Sequence, residues 1–128
     1  LLGAERAARA YPYRAMIDAE VPLSFGSDCP AEASVAPIEG IRKACLRPVN
    51  QAITVREAIE CYTSGSARAE GSESRKGTLC KGMLADFVIL SQNPCRYDTD
   101  ADRTAITDTV VEYTVMGGNI TYCRGKNG

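Results

Sequence analysis

The fold is decided by the stretch Val21-Pro22-Leu23-Ser24-Phe25-Gly26-Ser27-Asp28. A short apolar run that is stopped by a polar turn is typical of strands that are buried on both faces in parallel sheets. We therefore predict a buried strand at residues 21–25. The carboxylate of Asp28 then lies just beyond the carboxyl end of that strand.

A helix is predicted immediately before this strand. Proline fits the first position of a helix, because the backbone N–H that it lacks would have no partner there. With Pro12 in that position, Tyr13, Met16 and Ile17 follow at helical spacing and form one apolar face, which runs to about Glu20.

Two further helices are predicted after Asp28. Pro37 can open the first, which ends before Pro48. Thr54 and Glu57 form a capping box, in which each side chain satisfies a free backbone N–H of the first turn, and this helix runs to about Ala69. The apolar faces consist of Ile38, Ile41 and Cys45 in the first helix and of Ala58, Ile59 and Tyr62 in the second.

Past Gly71 the pattern favours short strands that are joined by glycine turns. The paired glycines Gly117-Gly118 suit a tight hairpin turn. The predicted strands are 77–79, 81–86, 87–90, 110–116 and 120–123, with the polar segment 92–108 separating the third from the fourth. The predicted order is helices with one buried strand first and β-structure last.

Composition narrows the classes of protein. The 128 residues are 45% hydrophobic, which is ordinary for a globular domain, and 15 basic residues against 16 acidic ones give a net charge of -1. The basic residues are scattered, so we expect neither a nucleic-acid partner nor an anionic membrane. No apolar run approaches the roughly 20 residues of a membrane span, and the chain does not begin like a signal peptide. We therefore expect the protein to be located in the cytoplasm.

The chain contains six cysteines and no histidine. With no sign of secretion, we interpret the cysteines as mostly free thiols. They lie 15 to 28 positions apart with no Cys-x-x-Cys pair, which argues against a structural zinc site. The absence of histidine removes the commonest general base and metal ligand, so a catalytic triad or a complete hydrolytic zinc site is not expected in this chain.

Several polar positions have ordinary structural interpretations. Gly-Ser-Asp at 26–28 can be a polar turn or a helix cap. Cys29 has no histidine to activate it, so we expect it, with Pro30, to shape a pocket wall rather than act as a nucleophile. Asp86 precedes a strand and is expected to make structural hydrogen bonds. The glycosylation sequon at 119–121 lies beside the predicted turn and is taken as chance.

Three segments, taken in order, resemble the end of the amidohydrolase superfamily, most closely its formamide-deformylase-like branch. They are Tyr11 to Asp28, then Thr54-Val55-Arg56-Glu57-Ala58 with Tyr62-Thr63, then Lys76-Gly77-Thr78-Leu79 through Gly82 to Leu90. The resemblance implies a fold of class α/β, a (β/α)₈ barrel with a β-sandwich formed from both chain ends. Residues 1–70 would be the last strand and helices of the barrel, and residues 71–128 strands of the sandwich. As an isolated chain the fold is effectively α+β.

The resemblance also implies a chemistry. Asp28 becomes the aspartate at the end of the eighth strand, the place where barrel enzymes keep their catalytic groups. It would touch zinc or another divalent metal and move a proton between the metal-bound water and the leaving amine. The implied reaction hydrolyses carbon–nitrogen bonds, other than peptide bonds, of a small-molecule amide-type substrate.

A complete barrel takes about 250 residues, and the resemblance places the family's His-x-His pair, bridging lysine and later histidines upstream of Leu1. We therefore expect a C-terminal fragment that binds zinc weakly, holds no cofactor and hydrolyses nothing. Barrel elements without their neighbours expose apolar faces, so we expect homo-oligomers or a missing upstream segment to cover them. The alternative is a non-catalytic truncated module that self-associates or binds a protein partner.

Overall fold

The computed structural model describes residues 3–31, 34–48, 50–98 and 103–125. Helices come first and an antiparallel sheet last, which confirms the predicted mixture of helices and sheet but not the buried strand that was predicted among the helices. The helices are α1 Ala4–Arg9, α2 Tyr13–Asp18, α3 Pro37–Cys45, α4 Val55–Glu60, a π-helical segment Cys61–Gly65 and α5 Ser66–Ala69. The strands are β1 Phe87–Leu90, β2 Val111–Met116 and β3 Asn119–Cys123, with 3₁₀ helices at Pro94–Asp98 and Arg103–Asp108 before β2.

Helix α2 is shorter than predicted. Pro12 caps it from outside, and the helix ends at Asp18 rather than near Glu20. Glu20 has a φ of 56°, a left-handed conformation that an α-helix does not tolerate. The predicted apolar face is nevertheless used, because Tyr13 and Ile17 pack against the core.

The predicted buried strand at 21–25 does not form, and that prediction is wrong for this chain as it stands. Residues 21–28 belong to no strand, and Val21 is 43% exposed. A strand needs a neighbouring strand to satisfy its backbone groups. Within the described ranges, the only sheet consists of β1, β2 and β3, and none of these pairs with the segment.

Helices α3 and α4 begin where they were predicted. Pro37 occupies the first turn of α3, and Ile41 and Cys45 are buried on its inner face. Thr54 and Glu57 form the full capping box at the start of α4. The helical path continues to Ala69 as predicted, but it passes through the five-residue π-helical segment, which the sequence pattern did not indicate.

The core lies among the helices. Its three fully buried large side chains are Ile53, Val55 and Ile106. Ile106 and Tyr97 come from the polar segment that was expected only to separate strands. The core therefore joins residues from both halves of the chain.

The sheet has the order β1-β2-β3, antiparallel throughout. The predicted hairpin is confirmed: Gly117 and Gly118 have φ values of 57° and 81°, as a tight turn between two strands requires. The predicted strands at 77–79 and 81–86 are wrong. Gly77 and Gly82 also have positive φ and turn the chain, and Leu84 bonds back to Arg75 within this loop.

Among the described residues, no helix has both the length and the apolar character needed to cross a membrane.

Candidate functional site

Asp28 lies on the surface, at the point where the extended segment 21–28 turns. It has a φ of 52°, a left-handed conformation that aspartate tolerates better than most residues. Its carbonyl oxygen accepts a hydrogen bond of 2.8 Å from the backbone N–H of Ala31. A turn therefore begins at Asp28 and runs to Ala31, with Asp28 exposed at its start.

A cavity of about 600 Å³ opens beside Asp28. Its wall combines aromatic rings from three separate elements with hydroxyl and charged groups. The lining includes Tyr11, Tyr13, Phe25, Ser27, Asp28, Glu39, Arg42, Arg47 and Tyr62. This mixture of apolar surface and a few polar groups is typical of small-molecule sites.

Phe25 lies at the centre of the aromatic wall. Its ring centroid is 4.9 Å from that of Tyr13 and 5.6 Å from that of Tyr62, the second pair meeting edge to face. Such geometries are favourable beyond the burial of apolar surface. Burial raises the pKa of both tyrosines above the ordinary value, so both phenols are neutral hydrogen-bond donors at neutral pH.

Arg47 also lines the cavity. Its Nη2 donates to the carbonyl oxygen of Ala10 over 2.5 Å and to that of Ala7 over 3.4 Å, at the end of helix α1. Its guanidinium carbon lies 5.6 Å from the ring centroid of Tyr11, within the range of a cation–π contact. Arg47 thus ties α1 to the chain that follows α3.

The residues present do not fit a catalytic metal by themselves. Such a zinc takes three protein ligands, yet the chain has no histidine. Across the residues that the structure describes, no three Cys, Asp or Glu side chains cluster closely enough to hold an ion. Asp28 can therefore supply at most one ligand of a larger set.

The cysteines are all free, as predicted for most of them. Cys29, next to Asp28, is exposed, whereas Cys45 and Cys61 are buried. Burial raises the pKa of Cys45 to about 11 and also raises that of Cys61. A thiol with so high a pKa is a poor nucleophile at neutral pH.

The remaining predicted positions have structural contacts. Asp86 accepts a 2.7 Å hydrogen bond from the backbone N–H of Gly117, which confirms its structural role. Asn119, in the sequon, donates to the carbonyl oxygen of Gly117 within the hairpin. Sequence reasoning missed Tyr62 and Arg47 as cavity residues. Tyr62 was assigned only to an apolar helix face, and Arg47 carried no pattern that indicated its position.

The chain is similar to several curated proteins but spans only part of each. YtcJ of Bacillus subtilis (strain 168) is 31% identical over 94% of this chain and 24% of its own length. The N-substituted formamide deformylase of Arthrobacter pascens is 31% identical over 67% of the chain and 17% of its length. Imidazolonepropionase of Thermoplasma acidophilum is 30% identical over 93% and 28%.

Among solved structures, Escherichia coli guanine deaminase superposes with a TM-score of 0.66 at 19% sequence identity, covering 94% of this chain and 36% of that chain. At this level of identity the similarity establishes the fold alone. The family model described as the amidohydrolase family matches residues 1–122. A match over nearly the whole chain settles the family: this chain belongs to the amidohydrolases.

Proposed function

We propose that this chain is the C-terminal part of a metal-dependent amidohydrolase that hydrolyses carbon–nitrogen bonds other than peptide bonds in small molecules. In the complete protein, residues 1–70 would supply the last strand and helices of the (β/α)₈ barrel, and residues 71–128 would supply strands of its β-sandwich. The family match over residues 1–122 carries the proposal. One relative is named for acting on N-substituted formamides, which are amide-type compounds.

In this proposal Asp28 is the chain's contribution to the active site. Its exposed carboxylate stands at the rim of the cavity, where it can accept a proton and return it to a leaving amine. The neighbouring rings of Phe25 and Tyr62 form an apolar wall that limits the access of water. Zinc or another divalent metal belongs to the complete protein, because one carboxylate does not fit a metal alone.

The compartment proposed is the cytoplasm. All six cysteines are free, the state that a reducing compartment maintains. With a net charge of -1, the chain offers nucleic acid no excess of positive charge.

Four tests check the proposal. Isothermal titration of the chain with zinc chloride should show weak binding, and the chain should not hydrolyse an N-substituted formamide; submicromolar zinc affinity would overturn the assignment of Asp28 as one ligand of an incomplete set. The coding DNA upstream of Leu1 should encode a His-x-His pair after a strand-like run. In the longer protein, Asp28→Asn should abolish hydrolysis while Asp108→Asn, at another exposed aspartate, should not.

A second candidate is a non-catalytic module that self-associates or binds a protein partner. It is favoured by large apolar side chains on the sheet that remain exposed, among them Met116 and Ile120 at 64% and 65%. If the chain self-associates, light scattering should show dimers or larger species, and a clean monomer at high concentration would count against self-association. If the gene begins near Leu1, this candidate replaces the enzyme.

A further inference from the structure

The π-helical segment Cys61–Gly65 meets the backbone of the segment that leads to Asp28. The backbone N–H of Phe25 donates to the carbonyl oxygen of Cys61 over 3.1 Å. The hydroxyl of Ser66 lies 2.9 Å from the same oxygen and 3.1 Å from the carbonyl oxygen of Phe25, and donates towards both. Both backbone groups of Phe25 are therefore satisfied by the helix, without a neighbouring strand.

Glycine at position 65 permits this close approach. A Cβ there would collide with the carbonyl oxygen of Leu23 and would lie 3.2 Å from that of Glu60. The φ of Gly65 is an ordinary helical -62°, so conformation alone does not require a glycine. Glycine is required because the space between the helix and the segment that leads to Asp28 is too narrow for a Cβ atom.

A π-helical turn inserts an extra residue into an α-helix and is frequently found at functional sites. Here it places the carbonyl of Cys61 and the hydroxyl of Ser66 side by side, facing Phe25. It also places the ring of Tyr62 edge-on against the ring of Phe25. One irregular turn therefore contacts both the backbone and the side chain of Phe25.

We propose that this turn, together with Ser66 directly after it, is a positioning device for Asp28, and that Ser66 is the positioning residue. Asp28 follows Phe25 by three residues, so its Cα lies within about 11 Å of a backbone that is held in place. Its own carbonyl is held by Ala31. The purpose of the device, holding a catalytic carboxylate, rests on the proposed function, whereas its geometry does not.

The test compares Ser66→Ala with Ser64→Ala by backbone NMR. Both changes remove a hydroxyl from the same helical run, but Ser64 bonds only to the carbonyl of Glu60. Ser66→Ala should shift the amide and carboxyl signals of residues 25–28 and speed exchange of the Phe25 amide by about threefold to tenfold. Ser64→Ala should leave those signals unchanged, and Ser66→Thr, which keeps the hydroxyl, should restore them.

If Ser66→Ala and Ser64→Ala have equally small effects on the NMR signals and amide exchange of residues 25–28, the proposed positioning role of the turn is wrong. If Ser66→Ala does not fold, the unchanged chain decides: exchange of the Phe25 amide as slow as that of helical Ala44 supports the proposal, and exchange at the rate of a free peptide refutes it. Chemical shifts and amide exchange do not depend on catalysis. If the proposed enzymatic function is wrong, the positioning of residues 25–28 by Ser66 is unaffected, and if that positioning is refuted, the proposed function is unaffected.

Discussion

Arg14 donates from Nη1 to Oε1 of Glu57 over 2.8 Å, joining two helices 43 residues apart in the chain. The other oxygen of Glu57, Oε2, accepts from the backbone N–H of Thr54 over 2.8 Å and from its hydroxyl over 2.9 Å. One half-buried carboxylate therefore completes the capping box of α4 and also holds α2 against it. Tyr13 of α2 and Tyr62, just after α4, both contact the ring of Phe25, so the carboxylate of Glu57 links the two helical regions that pack against the segment leading to Asp28.

Replacing Glu57 with alanine should destabilise the chain. The loss of the capping box costs about 1 kcal/mol, and the loss of a half-exposed ion pair adds at most about 1 kcal/mol. We expect urea denaturation to show a free energy of unfolding lower by about 1 to 2 kcal/mol. Glu60→Ala, at an exposed position of the same helix, should change it by less than about 0.5 kcal/mol. Equal losses for the two variants would contradict the dual role of Glu57.

Glu57 should also make the free energy of unfolding depend on pH, so that the chain becomes less stable in acid. Burial alone would raise the pKa of Glu57, but hydrogen bonds from Thr54 and Arg14 outweigh it and hold the pKa below its ordinary value. A depressed pKa in the folded state contributes stability above the unfolded value of about 4.3. That contribution is lost as the pH falls through the folded pKa. Glu39, whose pKa is lowered by its hydrogen bond with Arg42, acts in the same sense.

Denaturation midpoints measured from about pH 6 down to about pH 3 check this sign. The unchanged chain should lose stability in that window, and Glu57→Gln should lose less because it has no carboxylate to protonate. Glu60→Gln is the matched control and should follow the unchanged chain. A steeper loss in Glu57→Gln than in the unchanged chain would show that the sign is wrong.

The capping box was predictable because it is local: Thr54 and Glu57 lie three residues apart and recognise each other within one turn. The partner of Glu57 was not, because Arg14 lies 43 residues away. The local spacing of Arg14 indicates only Asp18, four residues further on, which it also contacts. The strand at 21–25 failed for the same reason. An apolar run can indicate that a segment is suited to a buried strand. Whether it forms one depends on neighbouring strands from other parts of the chain.

Gly40→Ala should disturb the cavity wall. A Cβ at this position would overlap the Tyr62 hydroxyl and lie 2.9 Å from its Cζ atom. Alanine improves helix propensity by about 1 kcal/mol, but overpacking against a ring costs about 1 to 3 kcal/mol. We expect a net loss of about 1 kcal/mol in urea denaturation, with a changed near-ultraviolet circular dichroism signal from the tyrosines.

Gly26→Ala is the control for this change, because a Cβ there meets nothing within 4 Å. It should change stability by less than about 0.5 kcal/mol. In the background of Tyr62→Ala the cost of Gly40→Ala should disappear, since the colliding ring is gone. A cost that persists in that double variant would assign it to the helix backbone rather than to Tyr62.

The rates at which iodoacetamide alkylates the cysteines of the folded chain should follow their exposure. Cys29 and Cys80 are exposed and should be alkylated first, whereas Cys45 and Cys61 should react only after unfolding. A pKa of about 11 leaves Cys45 as thiolate in about one molecule in a thousand at pH 8. Peptide mass spectrometry in native buffer and in urea measures the order. Native labelling of Cys45 as fast as that of Cys29 would contradict the core packing.

The candidate site was predictable only in part. Asp28 was singled out through its flanking resemblance, and the lack of histidine predicted that this chain alone would not complete a metal site; both stay predictions. The cavity beside it was not predictable. Tyr62 and Arg47 reach the cavity through contacts between helices that are distant in sequence, and local periodicity reports only that a side chain is apolar or charged.

Asp86→Ala should loosen the hairpin that ends the described chain. The Asp86 carboxylate accepts from the backbone N–H of Gly117 over 2.7 Å, and the N–H of Gly118 donates to the carbonyl of Ala85 over 3.0 Å. The two residues that directly precede β1 therefore hold the turn between β2 and β3. Losing a charge-assisted hydrogen bond at an exposed turn costs about 1 kcal/mol. Amide exchange of Gly117 should speed up by about fivefold, while Asp108→Ala, at an exposed aspartate ahead of β2, should leave it unchanged. Met116 and Ile120, on either side of the turn, are both exposed. If exchange of Gly117 is unchanged in Asp86→Ala, strand pairing alone fixes the hairpin.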